Sequence, residues 1–329
     1  MAELSDQVVM VTGGCGFIGS HLAGRLLADG ARKVIVLDSM DYGDTSNLVA
    51  SADPARGRLE VVRFKIGTDP VQRLAGSLKD VDVLVHLAAE KHNQALARST
   101  ALLKANIDGA LDLFQAAAES GVEQIVFSSS LYAYGRWHAP RMVESEAPLP
   151  DTLYGISKLF GEHALRYCAR HYGTRYAVLR FFFVYGPRQF AGTGYKSVIV
   201  KNFERILQGE APLICGDGQQ SLDYVFVDDV VDAIVGTMQG ELSGQLWNVA
   251  SGSAVSILEL TREMIRVAGG DIQPTFGPAD ATAGTSRAAD ITKIREQLGW
   301  SPRRPLSEGL AETYQWLKSE YQNAQPGHN

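Results

Sequence analysis

Short apolar runs rich in β-branched residues alternate with longer amphipathic stretches through the first half of the chain. The runs are VVMVTG (8–13), KVIVLD (33–38), LEVVRF (59–64), VDVLVHLAA (81–89), QIVFSSS (124–130) and YAVLRFFF (176–183). They are nearly continuous in apolar character rather than alternating, which predicts strands covered on both faces. Between them FIGSHLAGRLLADG, a stretch from about Arg98 to Gly121 and another from about Thr152 to Gly173 carry helical patterns. Strands and helices in such alternation predict an α/β fold, a doubly wound parallel sheet.

After about residue 185 the texture changes. Gly and Pro become frequent (YGPRQFAGTGY, GDGQQS, FGPADATAG) and the helical patterns shorten, although LDYVFV and QLWNVA still predict strands. A smaller lobe interleaved with the main sheet accounts for this better than a second domain behind a linker.

Composition narrows the partners. The 329 residues suit one large α/β unit or two coupled domains, and 45% apolar with 21% charged residues is ordinary for a soluble globular protein. Lys plus Arg total 31 against 37 Asp plus Glu, a net charge of −6 with no basic run, so no nucleic-acid partner is expected. Three cysteines, Cys15, Cys168 and Cys215, are widely spaced and offer no metal-ligand pattern; they suit a reducing, cytoplasmic setting. MAELSDQVVMVTGG has no basic n-region and no apolar stretch approaches a membrane span, so no signal and no membrane association are expected.

Two motifs carry chemistry. TGGCGFIG follows the first strand and opens the first helix; Gly13, Gly14, Gly16 and Gly19 allow a tight turn on which a pyrophosphate meets the helix N-terminus. Asp38 ends the second strand 19 residues after Gly19, where a carboxylate hydrogen-bonds an adenosine ribose and repels a 2′-phosphate, favouring NAD over NADP. The alternatives are plain glycine turns and a strand-end Asp capping the next turn. In YGISK, Tyr154 and Lys158 stand at i and i+4 on one helix face. A cation beside the phenol, with the positive nicotinamide of NAD⁺ acting in the same direction, lowers its pKa toward neutrality, making Tyr154 a base, whereas the bland alternative is a surface pair.

With the serine-rich strand end SSSLYAYG these motifs resemble those of the extended short-chain dehydrogenase/reductases, in particular the NAD-dependent nucleotide-sugar epimerase/dehydratase family. TGGCGFIGSHL, HLAA, ANIDGALDLFQAA, YGISKLFGE, VYGPRQ, VDDVVDAI, LWNVASG and LGWSP extend the resemblance over nearly the whole chain. It implies a Rossmann-type NAD-binding domain over 1–183 with a contribution from about 222–250, a nucleotide-sugar-binding lobe over 184–321 and a flexible tail over 322–329. It implies a catalytic triad of Ser130, Tyr154 and Lys158, with Ser130 on the reacting hydroxyl. Cofactor contacts are implied for Gly13, Gly16, Phe17, Ile18, Gly19, Asp38, Leu87, Ala88, Ala89, Lys91, Asn106, Ser128, Tyr154, Lys158 and Phe181. Substrate contacts are implied for Lys91, Ser129, Ser130, Tyr154, Phe183, Ser197, Val198 and Arg287, no metal is implied, and the substrate class is a nucleotide-diphosphate sugar, a UDP-sugar first. The helices near 98–120 and 152–173 are expected to pair into a homodimer.

Three departures qualify the resemblance. Phe183 stands where an Asn is usual, Leu222 where an Arg is usual, and KIGTD (65–69) where an Asp-Ile pair meets the adenine. Lys196, Lys201 or Arg188 could take over the diphosphate, and Phe181, Phe182, Phe183 and Trp137 suggest an aromatic wall. In the 4,6-dehydratases an Asp-Glu pair follows the triad Ser/Thr; here Leu131 and Tyr132 follow Ser130, leaving Glu90 and His92 as the alternative acid and base. The expected activity is therefore C4 epimerisation through a transient ketone, with dehydration second. A non-catalytic NAD sensor of the same fold would be expected to lack the Tyr-Lys pair.

Overall fold

The computed structural model describes residues 4–48, 57–91, 99–135, 140–189, 196–240, 242–280 and 282–323. Its main sheet has seven parallel strands in the order β10-β6-β5-β4-β1-β2-β3. These are β1 (Val8–Thr12), β2 (Lys33–Asp38), β3 (Leu59–Arg63), β4 (Val83–His86), β5 (Gln124–Ser130), β6 (Arg175–Phe181) and β10 (Gln245–Val249). Side chains alternate between the two sheet faces, so each strand feeds two cores. On one face Val9, Val11, Val34 and Val36 pack with Leu22 and Leu26 of helix α1 (Phe17–Ala28). On the other, Met10, Ile35, Leu84 and Phe127 pack with Phe114 of α2 (Ala110–Glu119) and Leu165 of α3 (Leu153–Tyr172). A fully buried Phe such as Phe114 contributes about 1.5–3 kcal/mol of transfer free energy.

Helix α3 starts where Thr152 accepts the Gly155 N–H at 3.0 Å and ends at Gly173, whose φ of 77° is left-handed. It lies close to the sheet because a Cβ at Gly161 would stand 2.5 Å from the Phe127 ring. The fold thereby brings the face carrying Tyr154 and Lys158 against the end of β5.

The apolar run 176–183 is not one strand. It leaves the main sheet at Phe182, whose N–H donates to Val249 O at 3.1 Å, and β7 (Phe183–Tyr185) pairs instead with β9 (Ser221–Phe226). Strand β9, expected to serve the cofactor domain, lies in this smaller sheet with β11 (Ala254–Ser256) and β13 (Ser286–Arg287). From about 222–250, β10 joins the main sheet, and Val230 and Ile234 of the helix Val227–Gln239 pack with α1 on its valine face. A separate lobe core forms around Ile199, Phe203, Tyr224, Leu260 and Leu310. The last helix, Leu306–Asn323, includes Gln322 and Asn323, which were expected in the tail. Among the described residues no helix is long and apolar enough to cross a membrane.

Candidate active site

Strand order reverses beside β1, and the loops following β1, β4 and β5 meet at the carboxyl end of the sheet, where parallel α/β sheets form a crevice. The first loop is the glycine turn. Gly13 has φ 68°, and a Cβ there would stand 3.0 Å from Ala88 N; at Gly19 a Cβ would stand 2.2 Å from Gly13 O. Gly16 caps α1 without a side chain, leaving Phe17 and Ile18 to open the helix with no side-chain cap. Asp38, buried at the end of β2, accepts the N–H groups of Cys15 and Met40, both at 2.9 Å. The capping role is thus real, and a carboxylate has acceptor capacity beyond two bonds.

The second loop is held by a residue that the sequence reading did not single out. Thr12 Oγ1 accepts the N–H groups of Leu87 at 3.2 Å and Ala88 at 3.1 Å, so its one proton goes to His86 Nδ1 at 2.8 Å. That donation requires the His86 ring proton on Nε2. Burial, then the charge of Lys158, pushes the imidazole down to about 3, so it stays neutral. Next along the loop, Asn106 Oδ1 accepts Glu90 N–H at 2.8 Å while Nδ2 donates to Glu90 O at 2.9 Å and to Ser157 Oγ at 3.1 Å. The Asn106 amide, expected as a cofactor contact, clamps this loop to α3. It stands in a π-helical turn, Lys104–Gly109, a distortion frequent at functional sites. Lys91 follows Glu90 and is exposed.

The third loop carries Ser130, the serine expected in the triad. The side chains of Ser130 and Tyr154 share a hydrogen bond, and Ser130 Oγ also accepts the Tyr132 N–H at 3.3 Å. Lys158 is buried, donates from Nζ to Ser128 O at 2.8 Å and stands 5.7 Å from the Tyr154 ring centre. Ser130, Tyr154 and Lys158 thus come together. Burial of the hydroxyl pushes Tyr154 up to about 12, more than the Ser130 hydrogen bond returns, although the residue as a whole is half-buried. Lys158 lies over the ring rather than at the oxygen, and burial brings its own ammonium down to about 7.

The serines divide their partners. Ser128 Oγ donates to His86 O at 2.9 Å, and Ser129 Oγ donates to Glu162, so the only proton of Ser129 is not offered to a substrate as expected. Phe181 is the cross-strand neighbour of Ser130. In the lobe Phe183 packs on Tyr224 with ring centres 5.7 Å apart. Ser197 caps the helix Val198–Leu207, accepting the Val200 N–H at 3.3 Å and donating to Gln189 Oε1 at 2.9 Å. Arg287 lies 5.9 Å from the centre of the Tyr132 ring, and Tyr132 makes an edge contact with Tyr154 at 5.9 Å. Of the proposed substitutes for the missing polar groups, Lys196 is bound to the Glu204 carboxylate at 2.6 and 2.7 Å; Leu222, where an Arg is usual, is part of the lobe core. His92 and Trp137 lie outside the described residues.

The residues present fit NAD: a glycine cradle that a Cβ would fill, an uncapped helix start facing it and an acidic strand end. The model of the NAD dependent epimerase/dehydratase family matches residues 9–250. A UDP-glucose 4-epimerase of Mycolicibacterium smegmatis is 33% identical over 315 residues, covering 95% of this chain and 99% of the relative. A dTDP-glucose 4,6-dehydratase of Streptomyces griseus is 32% identical over 316 residues, covering 94% and 93%. The structure of UDP-N-acetylglucosamine 4-epimerase from Methanobrevibacter ruminantium in complex with UDP-N-acetylmuramic acid aligns with a TM-score of 0.89 at 32% identity, covering 96% of this chain and 99% of that one.

Proposed function

Because the chain belongs to the NAD dependent epimerase/dehydratase family, we propose that it inverts C4 of a nucleotide-diphosphate sugar, a UDP-hexose first, through a transient 4-keto sugar. The observation that carries this reading is the Ser130, Tyr154 and Lys158 cluster followed directly by buried Leu131 and by Tyr132, whose ring leans on Tyr154. Elimination of water across neighbouring carbons needs a separate acid and base, and no carboxylate follows Ser130. Inversion needs one group that takes the C4 hydroxyl proton and gives it back.

Gly13, Gly16, Gly19 and the start of α1 would hold the pyrophosphate of NAD, and Asp38 the adenosine ribose. Bound NAD supplies reversible hydride acceptance. Ser130 orients the C4 oxygen, and Tyr154 removes and returns its proton. Lys158, fixed on Ser128 O, adds positive charge that favours phenolate over phenol. In the lobe, Arg287 is the candidate phosphate ligand, its guanidinium fork matching phosphate oxygens. The aromatic pair of Phe183 and Tyr224 replaces the usual amide as an apolar wall. Leu153, Ile156 and Tyr167 are exposed on α3, which supports a homodimer that covers this face.

A second reading is dehydration with Glu90 as the added acid or base; its Oε2 is buried and has no hydrogen-bond partner among the described residues. A panel of UDP-, GDP- and dTDP-hexoses with products identified by NMR separates the two. The epimerase reading predicts a C4 isomer of one substrate and no net consumption of NAD⁺, whereas accumulation of a keto-deoxy sugar would replace it with the second.

A further inference from the structure

The three serines that end β5 are each tied to α3, and the three helix residues are one turn apart. Ser130 bonds Tyr154 through its hydroxyl, Ser128 bonds Lys158 through its carbonyl oxygen, and Ser129 donates its hydroxyl to Glu162. Positions 154, 158 and 162 follow the i, i+4, i+8 spacing of a single helix face. Glu162 and its partners stand behind the other two pairs. Arg180, the cross-strand neighbour of Ser129, forks onto both Glu162 oxygens at 2.8 and 2.7 Å, and the ion pair is nearly inaccessible to solvent. The row continues across the sheet. The Arg180 guanidinium lies 4.2 Å from the Tyr134 ring centre, and Tyr134 donates to Asn248 on β10 at 2.7 Å.

We propose that Glu162, held by Arg180 and Ser129, is a positioning residue for the reaction: it locks the strand end bearing Ser128 and Ser130 against α3 and provides the counter-charge of Lys158. The proposal rests on the reading of Ser130, Tyr154 and Lys158 as the reacting site. A purely structural ion pair has no reason to share its carboxylate with the middle serine, where a slip of the strand would move both flanking contacts. Among the described residues, Glu162 is the charge that acts on Lys158 from its own helix, and Arg180 of β6 pairs with Glu162. The Tyr154 ring and buried, neutral His86 of β4 also stand near it, and β5 offers the Ser128 carbonyl and the Phe127 ring at 5.0 Å.

The test follows the Lys158 side chain by ¹³C NMR of ε-labelled lysine in the purified protein, assigned with Lys158→Met, alongside steady-state kinetics on the sugar nucleotide that the wild type isomerises. Glu162→Gln keeps size and one acceptor oxygen but removes the charge and turns the second acceptor into a donor, and it should lower the Lys158 titration midpoint by about one pH unit or more. In the same variant kcat should fall at least about tenfold, with KM unchanged and the kcat pH profile displaced by the same interval. The double variant Glu162→Met with Arg180→Met removes the desolvated pair together and guards against misfolding. It should keep the wild-type melting temperature and still show the low kcat.

An unmoved Lys158 midpoint in Glu162→Gln, or wild-type kcat and pH profile in the double variant, would overturn the proposal and leave a structural ion pair. A wild type that isomerises no sugar, combined with the displaced midpoint, would count against the proposed function alone and would still support Glu162 as the counter-charge.

Discussion

Lys158 donates from Nζ to the carbonyl oxygen of Ser128 at 2.8 Å, and the residue retains only 3% of its exposure. One hydrogen bond does not replace the hydration of an ammonium, so burial lowers its pKa to about 7 from 10.5, with Glu162 pulling the other way. Between these values the unfolded chain binds a proton that the folded chain lacks. Stability therefore rises with pH across this window, with a slope of up to about 1.4 kcal/mol per pH unit. Chemical denaturation of wild type and Lys158→Met at pH 7 and pH 9 should show the wild type gaining on the variant; parallel curves would mean that the ammonium is not desolvated.

Thr12→Val is nearly isosteric but removes the hydroxyl that serves two N–H groups and His86. Each buried group left without a partner costs about 1–3 kcal/mol. The expected outcome is a loss of about that size in denaturant unfolding, together with a lower NAD content in the purified protein, because Leu87 to Ala89 lose their anchor beside the glycine turn.

Gly19→Ala should be more damaging than its size suggests. The added methyl would stand 2.2 Å from Gly13 O and 2.6 Å from Gly14 Cα, both backbone atoms, so the turn must open. Overpacking of this kind costs about 1–3 kcal/mol. Calorimetry should find weaker NAD binding, whereas Gly236→Ala, where the new methyl meets nothing within 4 Å beyond the backbone of its own helix and its chain neighbours, should bind as wild type.

Tyr154→Phe removes the group assigned to proton transfer and keeps the ring that packs on Tyr132. Loss of a positioned acid or base typically costs about 10²–10⁴ in rate. The variant should bind NAD and nucleotide sugar normally while kcat falls by that factor; retained turnover would move the proton-transfer role to another residue. Ser130→Ala should lower kcat less, since it orients the oxygen without carrying the proton away.

Most of the parallel sheet and the Tyr154-Lys158 spacing could be read from sequence because both are local patterns, whereas Ser130 is singled out only through the family resemblance. Apolar runs bounded by turns mark buried strands, and Tyr154 with Lys158 obeys one helix period. The same period points to Glu162 in YGISKLFGE, but its partner Arg180 comes from another strand and is visible only once β5 and β6 are in register. Thr12 was missed because a threonine ending a strand has no spacing that reveals what its hydroxyl will meet. The run RFFFVYG hid its change of sheet, since three phenylalanines look alike whether they continue one strand or cross to another lobe. Helix spacing says that a lysine is near Tyr154, not that its ammonium lies over the ring and is itself desolvated.

The most direct measurement of the central claim uses the sugar nucleotide that the wild type converts, labelled with deuterium at C4. Inversion through a 4-keto sugar with Tyr154 handling only the hydroxyl proton predicts that the label remains at C4 of the isomer, with none lost to solvent and no NADH accumulating. Deuterium found at C6 of a keto-deoxy product would contradict the account.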